Sequence, residues 1–126
     1  MTEGETPREQ VPALREDERW MRVGDFAAHA GAREGEVRRM LREGRLADAS
    51  GRDGKPLLPS TFASPDGDGV AVWLPGTVTL LRDGGHDDVG VLHWLFADDP
   101  TLPGRPVDAL KGPLAREVRR RAQAER

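Results

Sequence analysis

The stretch Gly24-Asp25-Phe26-Ala27-Ala28-His29-Ala30-Gly31-Ala32-Arg33-Glu34-Gly35-Glu36-Val37-Arg38-Arg39-Met40-Leu41-Arg42-Glu43-Gly44 decides the fold. Asp25 stands as a capping residue before a short helical pattern. Gly31 follows where a helix would end in a left-handed residue. A second pattern runs from Arg33 to Glu43, with Val37, Met40 and Leu41 at helical spacing, and Gly44 stops it. Two helices crossing at a sharp angle need a small residue in the first, and Ala27 supplies it. Four positions later the turn needs tolerance of positive φ, which Gly31 has. Six positions past the glycine an apolar residue must seat the second helix on the first, and Val37 does so. Phe26, Ala30, Ala32 and Met40 fill the remaining buried positions. The spacing predicts a helix-turn-helix.

That prediction gives the second helix an outward face to interpret. Arg33, Glu34 and Gly35 open it, and Arg38, Arg39 and Arg42 follow at helical spacing. A recognition helix places its N-terminal side chains against base edges in the major groove. Arginine bonds guanine bidentately or pairs with phosphate. Arg33 and Arg38 are expected at bases or nearby phosphates and Arg39 and Arg42 at the backbone, with Arg45 a further DNA-binding candidate. The competing reading is an ordinary helical hairpin with a solvated arginine face, and Glu34, Glu36 and Glu43 dilute the charge.

Downstream the pattern turns β-like. Arg45-Leu46-Ala47 reads as a strand, residues 50–55 as a turn, and Pro56-Leu57-Leu58 as the partner strand, confined to an edge by Pro56 and Pro59. Arg52 and Lys55 at the tip would make this hairpin a basic wing against an adjacent backbone or minor groove. Val70-Ala71-Val72-Trp73 reads as one more short strand after the turn at residues 64–69. Upstream, Leu14 to Trp20 reads as a short helical turn that docks Leu14 and Trp20, and residues 1–13 as a disordered acidic tail.

The remainder reads as helical. Pro75-Gly76 opens a helix through Leu80 and Leu81 that stops at Gly84-Gly85. Asp87-Asp88 begins another, with Val89, Leu92, Trp94, Leu95 and Phe96 as its apolar positions. After a loop from Asp98 to Gly104, Arg105 to Leu110 suggests a short helix with proline in its first turn. Leu114 to Ala124 closes the chain as a basic helix anchored by Leu114 and Val118. Its arginines either reach DNA phosphates or pair with the acidic block before it. The division expected is a tail over 1–13, a winged helix-turn-helix over 14–73 and a C-terminal helical part over 74–126 packed on it. The fold class is mainly α with a small β wing.

Composition narrows the function. The chain has 126 residues, a net charge of −3 and no cysteine, which removes disulfides, thiolate metal sites and cysteine nucleophiles. The charge is sorted into blocks: −4 over residues 1–18, +3 over 19–55, −6 over 56–104 and +4 over 105–126. Local sign therefore matters more than the total. No apolar run approaches the ~20 residues of a membrane span. The polar start is unlike a secretory signal, so a cytoplasmic protein is expected, and DNA binding as read above would make it nucleoid-associated. His29, His86 and His93 lack the His-Glu-x-x-His spacing of a zinc site. Asp66-Gly67-Asp68-Gly69 lacks the closing glutamate of a calcium loop. No nucleophile elbow or phosphate-binding loop occurs. No enzyme, cofactor or metal is expected.

The second half carries a resemblance. Leu74-Pro75-Gly76-Thr77-Val78-Thr79-Leu80-Leu81-Arg82-Asp83-Gly84-Gly85 is similar to the middle of a small actinobacterial winged helix-turn-helix DNA-binding family, whose mycobacterial member is a substrate of a Ser/Thr protein kinase. The similarity continues through Trp94-Leu95-Phe96, Asp99-Pro100, Leu102, Arg105 to Leu110, Ala115 to Val118 and Arg120 to Ala124. It implies a duplex DNA partner, a flexible tail, and phosphorylation in that tail as a control, where Thr2 and Thr6 are the only hydroxyls. A second resemblance links Trp94-Leu95, Asp99-Pro100, Leu102 and Pro106 to Leu110 to the toxin-binding domain of certain antitoxins. It implies a protein partner for the C-terminal half as the alternative function. Oligomeric state, operator and direction of regulation are not readable.

Overall fold

A computed structural model describes residues 13–50 and 53–125. Its described elements are β1 (Trp20–Arg22), α1 (Val23–Ala30), α2 (Glu34–Arg42), β2 (Ala49–Ser50), β3 (Pro56–Pro59), a 3-10 turn (Ser60–Phe62), α3 (Leu74–Asp83), α4 (Asp88–Phe96), α5 (Pro106–Ala109) and α6 (Ala115–Ala124). The chain is mainly helical with one small antiparallel sheet, ordered β1-β3-β2.

The helix pair forms where its spacing predicts. Gly31 adopts φ 75°, and its N–H closes α1 onto the carbonyls of Ala27 and Ala28. Phe26, Ala30 and Val37 are fully buried, with Ala27 and Met40 nearly so. Gly44, at φ 73°, turns the chain after α2. The start of α1 differs from the sequence reading. Arg22 is extended and is the cap, Val23 is buried as the first helical residue, and Asp25 lies within the first turn. An acid there still favours the helix through the dipole.

The sheet corrects four expectations. Trp20 is in β1 rather than in a helical turn, pairing with Pro59 as Met21 pairs with Leu58. β3 is the central strand, not an edge. Its two prolines occupy the strand ends, opposite Ser50 and Trp20, so the inner residues Leu57 and Leu58 keep the ladder intact. Arg45-Leu46-Ala47 forms no strand. Leu46 and Ala47 are buried in passing, and the carbonyls of Gly44 and Leu46 accept hydrogen bonds from the Arg82 guanidinium at 2.8 and 2.9 Å instead of from a neighbouring strand. Val70 to Trp73 is also not a strand. Val70 makes one isolated bridge to Ala63, Val72 is 93% exposed, and Trp73 caps α3.

The C-terminal helices follow their signals. Leu74, Thr77, Val78 and Leu81 line the buried face of α3. The Asp87 carboxylate accepts the Gly90 N–H at 2.9 Å and starts α4, which buries Val91, Leu92, Leu95 and Phe96. Val89 and Trp94 contribute less, the first exposed and the second half-buried. α6 seats on Val118 and Ala122, whereas Leu114 is 37% exposed and anchors little. All the buried apolar side chains belong to a single cluster that runs from Val23 to Ala122. Phe62 and Phe96 stack within it at 5.9 Å, tilted by 39°.

One buried network joins distant segments. Arg105 donates to both Glu18 oxygens at 2.8 Å and to both Asp108 oxygens at 2.9 and 3.0 Å, with its guanidinium 5.2 Å from the Phe96 ring centre. Glu18 also accepts from the Thr61 hydroxyl and, at 2.8 Å, from the Arg15 N–H. Burial works against its charged form. The bonds from Arg105, Thr61 and Arg15 outweigh that and hold the Glu18 carboxyl down at about 2.

Candidate nucleic-acid interface

α2 has two faces of opposite chemistry. Val37 and Met40 point into the core, with Leu41 half-buried beside them. At 100° per residue, Gly35, Arg38, Arg39 and Arg42 fall on the opposite side, and all four are exposed. Gly35 faces open space, since a Cβ built there would meet nothing within 4 Å. The seating on α1 fixes the face outward.

The arginines on this face differ in commitment. Arg38 folds back along the helix, donating from Nε and Nη2 to Glu34 Oε2 at 3.0 and 2.8 Å. That pair is half-exposed, so it costs little to exchange. Arg39 and Arg42 make no ion pair among the described residues, and neither does Arg33, the exposed residue at the start of the helix. Arg45, beyond the Gly44 turn, is 3.8 Å from Glu43. A cleft of about 280 Å³ separates α2 from the start of α3, and Arg39, Arg45, Glu36, Val72 and Pro75 line it.

The hairpin contributes a weaker feature. Gly54 takes φ 79° at its tip, and Lys55 beside it is exposed. The Lys55 N–H donates to Asp53 Oδ1 at 3.0 Å, and Arg22 pairs with Asp53 Oδ2 at 2.7 Å. The Lys55 N–H and then Arg22 hold the Asp53 carboxyl below its usual range. Arg22 therefore belongs with the tip, although nothing in its sequence neighbourhood signals that. Arg52, Thr2 and Thr6 lie outside the described residues.

The other candidates separate. Leu110 is 2% exposed and Trp94 half-buried, so both serve the core rather than an open partner surface. His86 bonds Glu125 at 3.0 Å, while His29 and His93 are exposed on different helices. Of the two uses foreseen for the basic last helix, Arg121 takes the internal one. It bonds Glu117, Thr101 and, at 3.4 Å, Asp99. Sequence reasoning missed Glu18, Arg105 and Arg82. Glu18 meets Arg105 across 87 residues, and Arg82 meets the carbonyls of Gly44 and Leu46 across 38 and 36, separations for which no local pattern exists.

Fold and site together define a small, mainly helical protein that turns an arginine-bearing helix outward from a compact core. The chain is 43% identical over 100 residues to a protein of Mycobacterium tuberculosis named DNA-binding protein Rv2175c, covering 70% of this chain and 67% of that one. It belongs to the family of that protein. Residues 72–125 match the family described as the Rv2175c C-terminal domain of unknown function. A solved structure, the NMR structure of Rv2175c, superposes with a TM-score of 0.71 at 37% identity, covering 91% of this chain and 88% of that one.

Proposed function

We propose that this chain is a non-catalytic winged helix-turn-helix protein that binds duplex DNA, as a transcriptional regulator or a nucleoid-associated factor. The outward face of Gly35, Arg38, Arg39 and Arg42, fixed by Val37 and Met40 below it, carries the reading. α2 enters the major groove, with Arg33 and Arg38 near base edges and Arg39, Arg42 and Arg45 on phosphates. The β2–β3 hairpin is the wing, with Lys55 and Arg52 against the neighbouring backbone. The strand order supports this, because β1 before the helix pair adds onto the hairpin that follows it. The printed name of the Mycobacterium tuberculosis relative supports DNA as the ligand.

In this reading residues 14–73 form the DNA-binding unit and 74–126 the helical part that braces it. Phosphorylation of Thr2 or Thr6 by a Ser/Thr kinase would add about −1.5 to −2 charge to an acidic tail and oppose binding. Amide shift mapping with a short duplex tests the assignment. The proposal requires the largest shifts across residues 33–45, and it fails if these amides stay unmoved while DNA binds. The antitoxin-like alternative would have to use a surface other than Leu110, which is buried.

A further inference from the structure

The function proposed above uses the basic block around α2 and leaves the second one, on α6, unexplained. Val118 and Ala122 seat α6 on the core, with α3 and α5 as its packing partners. At helical spacing Arg116, Arg119, Arg120 and Gln123 fall on the opposite side, and all are exposed. Arg121 is turned aside to Asp99 and Glu117, and it holds α6 to the preceding loop. Arg120 pairs with Glu117 yet stays 73% exposed. Arg116 and Arg119 have no ion pair among the described residues.

Arg119 and Arg120 lie three and four positions after Arg116, so like charges face one another along this side of the helix. No ion pair among the described residues offsets this at Arg116 or Arg119, whereas the neighbouring Arg121 bonds Glu117, Asp99 and Thr101. An external anion would offset it. A row of guanidinium groups on the exposed face of a helix suits a repeating line of phosphates.

The two basic faces rest on different parts of the core, since α2 packs on α1 whereas α6 packs on α3 and α5. Asp66 and Asp68 line a cleft with Lys111 and Val72, and Asp68 also lines the cleft that holds Arg39 and Arg45. Asp48 and Asp88 stand together beside Arg82. Glu36 and Asp68 border the basic face of α2 itself, in the cleft with Arg39 and Arg45.

We infer that the outer face of α6, through Arg116, Arg119 and Arg120, binds the phosphate backbone of a second DNA duplex, so that one chain bridges two duplex segments. This rests on duplex binding through α2. The test uses the full chain and beads carrying one immobilised duplex, and it measures capture of a second, labelled duplex. Single-duplex binding is followed in parallel by anisotropy, and mass in solution by light scattering. Wild type should capture the second duplex. Arg116→Glu/Arg119→Glu should keep single-duplex binding through α2, keep the wild-type mass and thermal melt, and lose capture by at least about tenfold. Arg116→Lys/Arg119→Lys should largely retain capture. Capture undiminished in the Glu variant, or single-duplex binding by wild type without any capture, overturns the inference and leaves the role of α2 standing. Absence of all duplex binding by wild type overturns both.

Discussion

Glu18 and Arg105, 87 residues apart, meet in the interior as a two-pronged ion pair at 2.8 Å on each prong. Their side chains are 9% and 4% exposed. Thr61 at the end of the sheet and Asp108 on α5 complete the set, so one guanidinium ties the segment before β1 to the C-terminal helices.

This pair makes stability pH-dependent. The Glu18 carboxyl titrates at about 2 in the folded chain against 4.5 in its ordinary state. A depressed carboxylate contributes its full stability above the unfolded value and loses it as pH falls toward the folded one. The melting temperature should therefore drop between about pH 5 and pH 2. Glu18→Gln should cost about 2–4 kcal/mol at neutral pH and flatten that drop. Thermal melts across pH measure both, and an unchanged acid profile in Glu18→Gln would count against the account.

Gly31 should tolerate no side chain. Its φ is 75°, and a Cβ there would lie 2.0 Å from the Gly67 carbonyl oxygen, a backbone atom. The Gly69 N–H bonds the Ala30 carbonyl at 2.7 Å, so the loop cannot simply move away. Gly31→Ala should destabilise by at least about 2 kcal/mol. Gly54→Ala, equally positive in φ but with open space around it, should cost less. Denaturant midpoints of the two variants give the comparison.

Those two cases mark what the sequence discloses. The helix pair was legible because Gly31, Gly44 and the Val37–Met40 spacing act over a few residues. α3 and α4 were legible for the same reason, through Pro75 and the Asp87–Gly90 cap. The sheet was not. Whether Pro56 and Pro59 permit a central strand depends on where β1 arrives, which no local rule states. Nor does the sequence reveal that Arg82 satisfies the carbonyls of Gly44 and Leu46, which removes the need for a strand there. The arginine face of α2 could be read in advance, but the commitment of Arg38 to Glu34 needed coordinates.

Asp48 is the costly acid of the fold. Burial, and then the neighbouring Asp88, push its carboxyl above the usual range, against the pull of Arg82. A raised carboxyl opposes folding at the pH where it is charged. Asp48→Asn should raise the melting temperature near pH 7, with the gain fading as pH falls into the carboxylate range. Arg82→Ala should push the Asp48 titration higher still, and it should destabilise by about 2 kcal/mol because two carbonyls lose their donor. Carbon-detected NMR titration follows the carboxyl directly.

Glu34 restrains DNA binding in this account. It holds Arg38 at 2.8 Å and carries negative charge at the start of α2. Glu34→Gln should tighten duplex binding a few-fold and steepen the salt dependence by about one unit of log–log slope. Weaker binding in this variant would mean that the Glu34–Arg38 pair orders the surface rather than competing with DNA.

The claim on which the rest depends is that α2 is the DNA-contacting helix. Fluorescence anisotropy with a mixed-sequence duplex across a salt series tests it, for wild type and for Arg39→Glu/Arg42→Glu. Both residues are exposed and form no ion pair among the described residues, so the variant should keep its fold. The account predicts a steep negative salt slope for wild type and a loss of affinity of at least about tenfold, with a shallower slope, for the variant. Equal affinity and equal slope in the two proteins would contradict it.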